Sequence, residues 1–393
     1  MTVGDSPVSR PVIVTAVVVL MLGLISGITW QLAGQGNLTP RGEPVLPDFG
    51  IFYTAGRLAL QGQAVAAYDA GTLTDAFQAF FALQPGAVSW NYPPPLLLPV
   101  AALAALPYLA AAGLWGAIGL GGLIAALRAL APGGTLLLAG LLFPGTTMAL
   151  LAGQTSLLVA AALGGGLALL ERRPEVAGVL LGLLVLKPNL AVLVPLALIA
   201  GGRWRALAAA TGAAVLLGAI SLAAFGMEPW HGFVTNLTTI AGWDAAGVLR
   251  AWRMPSVYVQ AKSLGLPGGA AMAVQLAAAM GAATAVVWIW RRVQSDTLRG
   301  AVLVAAIPLA SPYVFEYDLV VLILAVLLLW RDGLARGWHR GEPLGLLLVW
   351  VMAVLPPAVT ESLGCHPGVL FTVLLLGLVV RRALRDGDGR VAV

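Results

Sequence analysis

Long apolar runs separated by short basic turns recur from one end of this chain to the other, and they dictate the solvent in which it can fold. Val12–Ala33, Tyr108–Leu127, Ala206–Phe225 and Gly268–Trp290 are each long enough, as helices, to cross a hydrocarbon core of about 30 Å. The chain is 60% hydrophobic and only 10% charged, against about a quarter charged in soluble domains. No soluble core could bury that much apolar side chain, so lipid must cover the remainder. Lipid offers the backbone no hydrogen bonds, and each span must therefore satisfy its own N–H and C=O groups as a helix. The runs are rich in Leu, Ala and Gly and lack the alternating pattern of a membrane β-barrel. The expected fold is an all-α polytopic bundle of about 11–13 transmembrane helices, forming a single membrane-embedded domain over residues 1–393.

The net charge of +5 does not point to nucleic acid. The arginines sit in the turns: Arg172-Arg173, Arg203 with Arg205, Arg291-Arg292, Arg331 to Arg340 and Arg381 to Arg390. That is the distribution expected of cytoplasmic loops. Two longer connections, 35–93 and 226–267, then fall on the opposite side and carry Glu43, Asp48, Asp69, Glu228 and Asp244. Crossing parity is awkward between Pro94 and Ala152, where three apolar runs lie. Either the short Pro94–Leu106 run is re-entrant, or Arg172-Arg173, flanked by Glu171 and Glu175, is an exception to the rule. Cys365 is the only cysteine, and His231, His339 and His366 have no metal-ligand spacing, so neither a disulfide framework nor a metal cluster is expected. Pro11 to Gly34 is too long for a cleaved signal segment and reads as a retained helix.

Ionisable groups at membrane depth are costly, so each is either a tie between helices or a working group. In Pro44 to Gly62, helical spacing places Phe49, Phe52, Tyr53, Gly56 and Leu60 on one face and Gly50, Thr54, Arg57 and Gln61 on the other. This predicts a helix lying in the interface plane, with Asp48 after Pro47 as its N-cap. Ser89-Trp90-Asn91-Tyr92 ends in three prolines that stiffen the chain before the next helix. Gly153-Gln154 puts an amide between two apolar runs, and Lys187-Pro188-Asn189 interrupts another. Lys187 is one of only two lysines and needs an anion or a watery cavity. Ser311 to Asp318 supplies Glu316, Tyr317 and Asp318. The second long connection adds Trp230, His231, Trp243, Arg250, Trp252, Arg253 and Lys262, suited either to a lipid-headgroup belt or to stacking on a sugar and neutralising a phosphate.

The order of these motifs resembles glycosyltransferase family 87. The resemblance runs from Asp48-Phe49 through Tyr53, Gly62 to Tyr68, Tyr92-Pro93-Pro94-Pro95, Leu106-Pro107 and Trp115 to Gly153-Gln154. It continues through Lys187-Pro188, Arg203-Trp204-Arg205, Ser311-Pro312 and Tyr317-Asp318-Leu319. The chain is similar to polyprenyl-phosphate-mannose-dependent mannosyltransferases, and the resemblance implies a GT-C fold in the plasma membrane of a bacterium. It further implies an extracytoplasmic site, a polyprenyl-phosphate sugar donor, a lipid-linked or glycan acceptor, and Asp48 as the catalytic acid–base group. Lys187, Arg57 and Arg253 are then candidates for the donor phosphate. Tyr53, Asn91, Tyr92, Gln154, Asn189, His231, Glu316, Tyr317 and Asp318 are candidates for substrate contact. Where the family often has a histidine after Ser-Pro, this chain reads Glu316, Tyr317 and Asp318. No cofactor is required; Asp48 with Glu316 or Asp318 could in principle hold a divalent cation, but their spacing does not argue for one. A secondary transporter or a lipid flippase is the alternative, although no internal repeat or inverted symmetry is evident.

Overall fold

The structure, a computed structural model, describes residues 10–83, 88–245 and 250–388. Among them the ordered elements are all helical, with one isolated bridge between Leu38 and Pro44. The first half of the chain contains α1 (Arg10–Leu32), α2 (Pro47–Leu60), α3 (Ala70–Phe81), α4 (Leu97–Ala104), α5 (Tyr108–Leu130), α6 (Gly134–Leu141), α7 (Pro144–Ala152), α8 (Ser156–Leu169), α9 (Pro174–Gly182) and α10 (Val194–Ala200). The second half contains α11 (Trp204–Phe225), α12 (Glu228–Ala245), α13 (Val257–Ser263), α14 (Gly268–Arg292), α15 (Asp296–Ala310), α16 (Leu322–Arg336), α17 (Glu342–Met352), α18 (Pro357–Leu363) and α19 (Gly368–Asp388). Short 3-10 turns link several of these, including Leu183–Leu186, Pro188–Leu190, Ala251–Arg253 and Glu316–Val321.

Full-length spans are fewer than the eleven to thirteen expected. Among the described residues α5, α11 and α14 are long and apolar enough to cross a membrane unaided. The α6/α7 pair, bent by 50°, and the α17/α18 pair, bent by 94°, bring the number to five if each is one span. Prolines account for several of the breaks: Pro144, Pro174, Pro188 and Pro357 all occupy the start of a helix. A proline there has no N–H to lose, but it cannot continue a helix from before. Apolar runs that read as single spans are thus divided.

Side-chain ties sort the helix ends into two groups. At one end Tyr108 bonds to the Val45 carbonyl, Gln31 bridges Leu46 and Leu151, and Asn236 donates to the carbonyls of Tyr68 and Trp90. The two long connections therefore meet at one end. At the other end Arg203 pairs with Glu171 and approaches Asp296, while Arg331 reaches Thr297 and the Leu130 carbonyl. This separation resolves the parity problem. α4 has eight residues, about 12 Å of helix, and it stays beside α2 rather than crossing. α5 makes one pass and the bent α6/α7 pair returns.

The core lies around α15 and α16. Residues 300–309 and 316–329 are buried without interruption. A helix apolar on every side belongs inside a bundle. α11 is the contrary case: only Ala206 and Ser221 are buried, and Val215, Leu216 and Ile220 are exposed in the way a lipid-facing helix requires.

Candidate active site

Asp48 stands in the first turn of α2, and two expectations about that helix need correction. Leu46, in a left-handed conformation, is the N-cap, Pro47 opens the helix, and no side chain caps it. Asp48 is thus inside the helix rather than its cap, although its charge still faces the favourable end of the helix dipole. Nor does α2 divide into one buried and one exposed face. Gly50 and Thr54, expected outward, are buried, while Leu60 is exposed. The helix is enclosed by α3, α4 and α5. Phe49 lies 5.9 Å from Tyr108 and 5.8 Å from Trp115 between ring centroids, and a Cβ at Gly56 would come within 2.3 Å of the Val100 carbonyl oxygen. The amphipathic partner is α3, which buries Leu73, Phe77 and Phe81 at helical spacing.

The Asp48 carboxylate accepts a hydrogen bond at Oδ2 from Gln154 Nε2 at 2.8 Å, and the Tyr92 hydroxyl donates to Gln154 Oε1 at 2.8 Å. Gln154 follows Gly153, which ends α7 with φ +72°. A Cβ at Gly153 would meet Phe49 Cβ at 2.7 Å and Leu46 Cβ at 2.8 Å. Glycine is required there for both conformation and closeness. The Trp115 indole N–H donates to the Gly153 carbonyl at 2.9 Å. Gln31 fixes the same two segments from α1, donating to Leu151 and accepting from the Leu46 N–H.

Lys187 sits between two 3-10 turns at φ −143° and ψ 74°, outside the helical region that the residue before a proline avoids. Its anion is internal. Nζ lies 2.5 Å from Asp318 Oδ1 and 3.2 Å from Ser156 Oγ, and the Ser156 hydroxyl donates to the same carboxylate oxygen at 2.6 Å. The other oxygen, Oδ2, accepts from the Phe315 N–H. The ammonium also lies over the rings of Tyr317 at 4.9 Å and Tyr92 at 5.8 Å. Arg253, on the Ala251–Arg253 turn, donates from Nε to Glu316 Oε1 at 2.7 Å and lies over Tyr317. Its side chain is 29% exposed, against 6% for Lys187. Arg253 is the more accessible cation.

Burial pushes the Asp48 carboxyl above the ordinary carboxylate range; Arg253, the Gln154 amide and Lys187 pull it back, and Asp318 adds repulsion. Burial works against charge on Arg253, but Glu316 and Asp48 hold the guanidinium protonated. Among the described residues no cation forms an ion pair with Asp48. The arrangement is a partly buried carboxylate, oriented by an amide, with cations nearby but not bonded to it. Among the described residues no group of three or more His, Cys, Asp or Glu side chains could hold a metal ion.

Other candidates are elsewhere or otherwise engaged. Arg57, nine residues along α2, lies over the Phe80 ring at 4.5 Å. Tyr53 is buried and donates to the Leu106 carbonyl, closing the end of α4. Asn189 donates to the Tyr313 carbonyl, tying the Lys187 turn to the segment after Ser311. Asn91 bonds Ser89, and His231 is exposed at the start of α12. Sequence reasoning missed Gln31 and Ser156. Both are polar residues at the margin of an apolar run, and that position was their available signal.

A family model for glycosyltransferase family 87 matches residues 90–312. The chain belongs to glycosyltransferase family 87. It is a membrane glycosyltransferase, and the transporter and flippase readings give way. Comparison with curated proteins and with solved structures yields no match. The family match takes in Tyr92, Gln154, Lys187 and Arg253. Asp48 and the Glu316–Val321 turn lie outside it, and folding brings them to the same place.

Proposed function

We propose that this glycosyltransferase moves a hexose, with mannose favoured, from a polyprenyl-phosphate donor to a lipid-linked or glycan acceptor on the extracytoplasmic face. Asp48 is the general base of a single inverting displacement. The observation that carries this reading is the state of its carboxylate: partly buried, hydrogen-bonded by a neutral amide and not ion-paired. A carboxylate locked to an arginine would be a poor base, whereas one raised by burial is better matched to removing a hydroxyl proton.

In the reaction Asp48 accepts the acceptor's hydroxyl proton as that oxygen bonds to the anomeric carbon from the face opposite the leaving group. The bond from the anomeric carbon to the phosphate oxygen breaks, and the phosphate leaves with the electron pair. Fixed positive charge must meet it. Arg253 is favoured for that task over Lys187 because its head is more accessible, and Arg57 is left out by its position beside Phe80. Lys187 acts through Asp318 and Tyr92, holding the wall of the site. The arginine-rich end faces the cytoplasm.

Transfer from radiolabelled polyprenyl-phosphate sugars is measured in membranes with and without the protein, and with Asp48→Asn. The protein is expected to support transfer from a mannosyl donor and the variant to abolish it. Substantial transfer by the variant would remove Asp48 from the base role; transfer from a nucleotide sugar alone would overturn the donor.

A further inference from the structure

We propose that Gln154 is a positioning residue rather than a substrate contact: it clamps one oxygen of Asp48 so that the other, Oδ1, meets the acceptor hydroxyl. The proposal rests on the reading of Asp48 as the base and adds which oxygen works and what aims it.

The direction of the Gln154 amide follows from its neighbours. Oε1 faces the Tyr92 hydroxyl at 2.8 Å and the Thr155 N–H at 3.3 Å. The Thr155 N–H can only donate, so an oxygen must face it, and the amino group is left for Asp48 Oδ2. Gln154 is only 6% exposed and both ends of its amide are engaged, which leaves little of it to offer a sugar.

Its supports are rigid. Gly153 permits no other residue so close to Phe49, and its carbonyl is held by Trp115. The Tyr92 ring packs edge-on against Phe52 at 5.1 Å, beneath the Lys187 ammonium, and its carbonyl accepts from the Tyr68 hydroxyl. A chain of fixed groups thus runs from Asp318 through Lys187, Tyr92 and Gln154 to the base. An amide suits the last place because it orients a carboxylate without neutralising it. An arginine there would also hold Asp48 but would weaken it as a base.

The test measures kcat, donor KM and the pH profile of transfer for the full chain in detergent or nanodiscs, with Gln154→Ala, Gln154→Glu and Tyr92→Phe. Loss of aim in Gln154→Ala should lower kcat by about 10- to 100-fold and leave donor KM within about twofold. Its acid limb should move to higher pH, because a hydrogen bond favouring the ionised carboxylate is gone. Gln154→Glu should move the limb further, since two adjacent carboxyl groups share a proton. Tyr92→Phe, a milder change, should lower kcat by about three- to tenfold in the same direction, and it keeps the proposal open to refutation if Gln154→Ala does not accumulate. Unchanged kcat and pH profile in Gln154→Ala, or in Tyr92→Phe if that alone is obtained, would overturn the clamp. So would a rise in donor KM at constant kcat, which assigns Gln154 to substrate. Activity in Asp48→Asn refutes the base itself and is read separately.

Discussion

Asp318 and Asp332 belong to one stretch of buried helix, yet the charges around them are arranged in opposite ways. At the Asp332 end, the buried Arg382 donates from Nε to Asp332 and from Nη1 to Glu342, both at 2.5 Å, and from Nη2 to the Gly337 carbonyl. Arg336 adds two bonds to Asp332. Each of these carboxylates is bonded directly to a guanidinium, and α16, α17 and α19 are tied together. At the Asp318 end, Asp48, Glu316 and Asp318 share Lys187 and Arg253, one carboxylate more than there are cations. The carboxylate left over is Asp48. The balanced buried cluster ties helices together, whereas the unbalanced one leaves a carboxylate without an ion pair, the state that the proposed base requires.

The largest expected effect that sharpens this contrast is at Asp48. Asp48→Asn should reduce transfer by about 100- to 10,000-fold without lowering the melting midpoint, because no ion pair is broken. A lowered midpoint would make Asp48 another structural tie. Next comes Arg382→Met, which strands the buried Glu342 and leaves Asp332 to Arg336 alone; it should cost about 3–5 kcal/mol of stability, read by denaturation in detergent, with transfer per folded molecule retained. A cost below about 1 kcal/mol would remove the distinction between the clusters. Lys187→Ala should affect both readouts, since it leaves Asp318 buried without its cation and loosens Tyr92. Adding Asp318→Ala should recover stability but not the rate of transfer; recovery of both would class the pair with Arg382. The smallest effect is at Arg253. Arg253→Gln should raise donor KM by about tenfold and move the acid limb of the rate profile to higher pH, because the guanidinium favours ionised Asp48. A shift to lower pH would contradict the arrangement.

Asp48, Gln154, Lys187 and Asp318 were each legible as polar interruptions of apolar sequence, where cost implies purpose. Their partners were not. Lys187 called for an anion, but nothing local identified Asp318, 131 positions away, or the hydroxyl of Ser156 between them. The Arg331 and Arg381 groups read as loop charge because they follow apolar runs. α16 continues to Arg336 and α19 to Asp388, and Arg382 is 1% exposed. Arg57 and Tyr53 read as site residues because they share a helix with Asp48, yet packing turned one to Phe80 and the other to Leu106.

By itself the sequence determined the solvent, the helical class and the separation of basic turns from the two long connections. Those properties depend on composition and on the hydrogen-bonding needs of a backbone in lipid, which any arrangement of the same segments would have to meet. Only the tertiary structure decided that α2 is enclosed, that prolines divide the spans, and that Asp48 is the carboxylate left without a cation. Charge pairing is settled by distances of a few ångströms between residues far apart in sequence, and those distances exist only once the helices have packed.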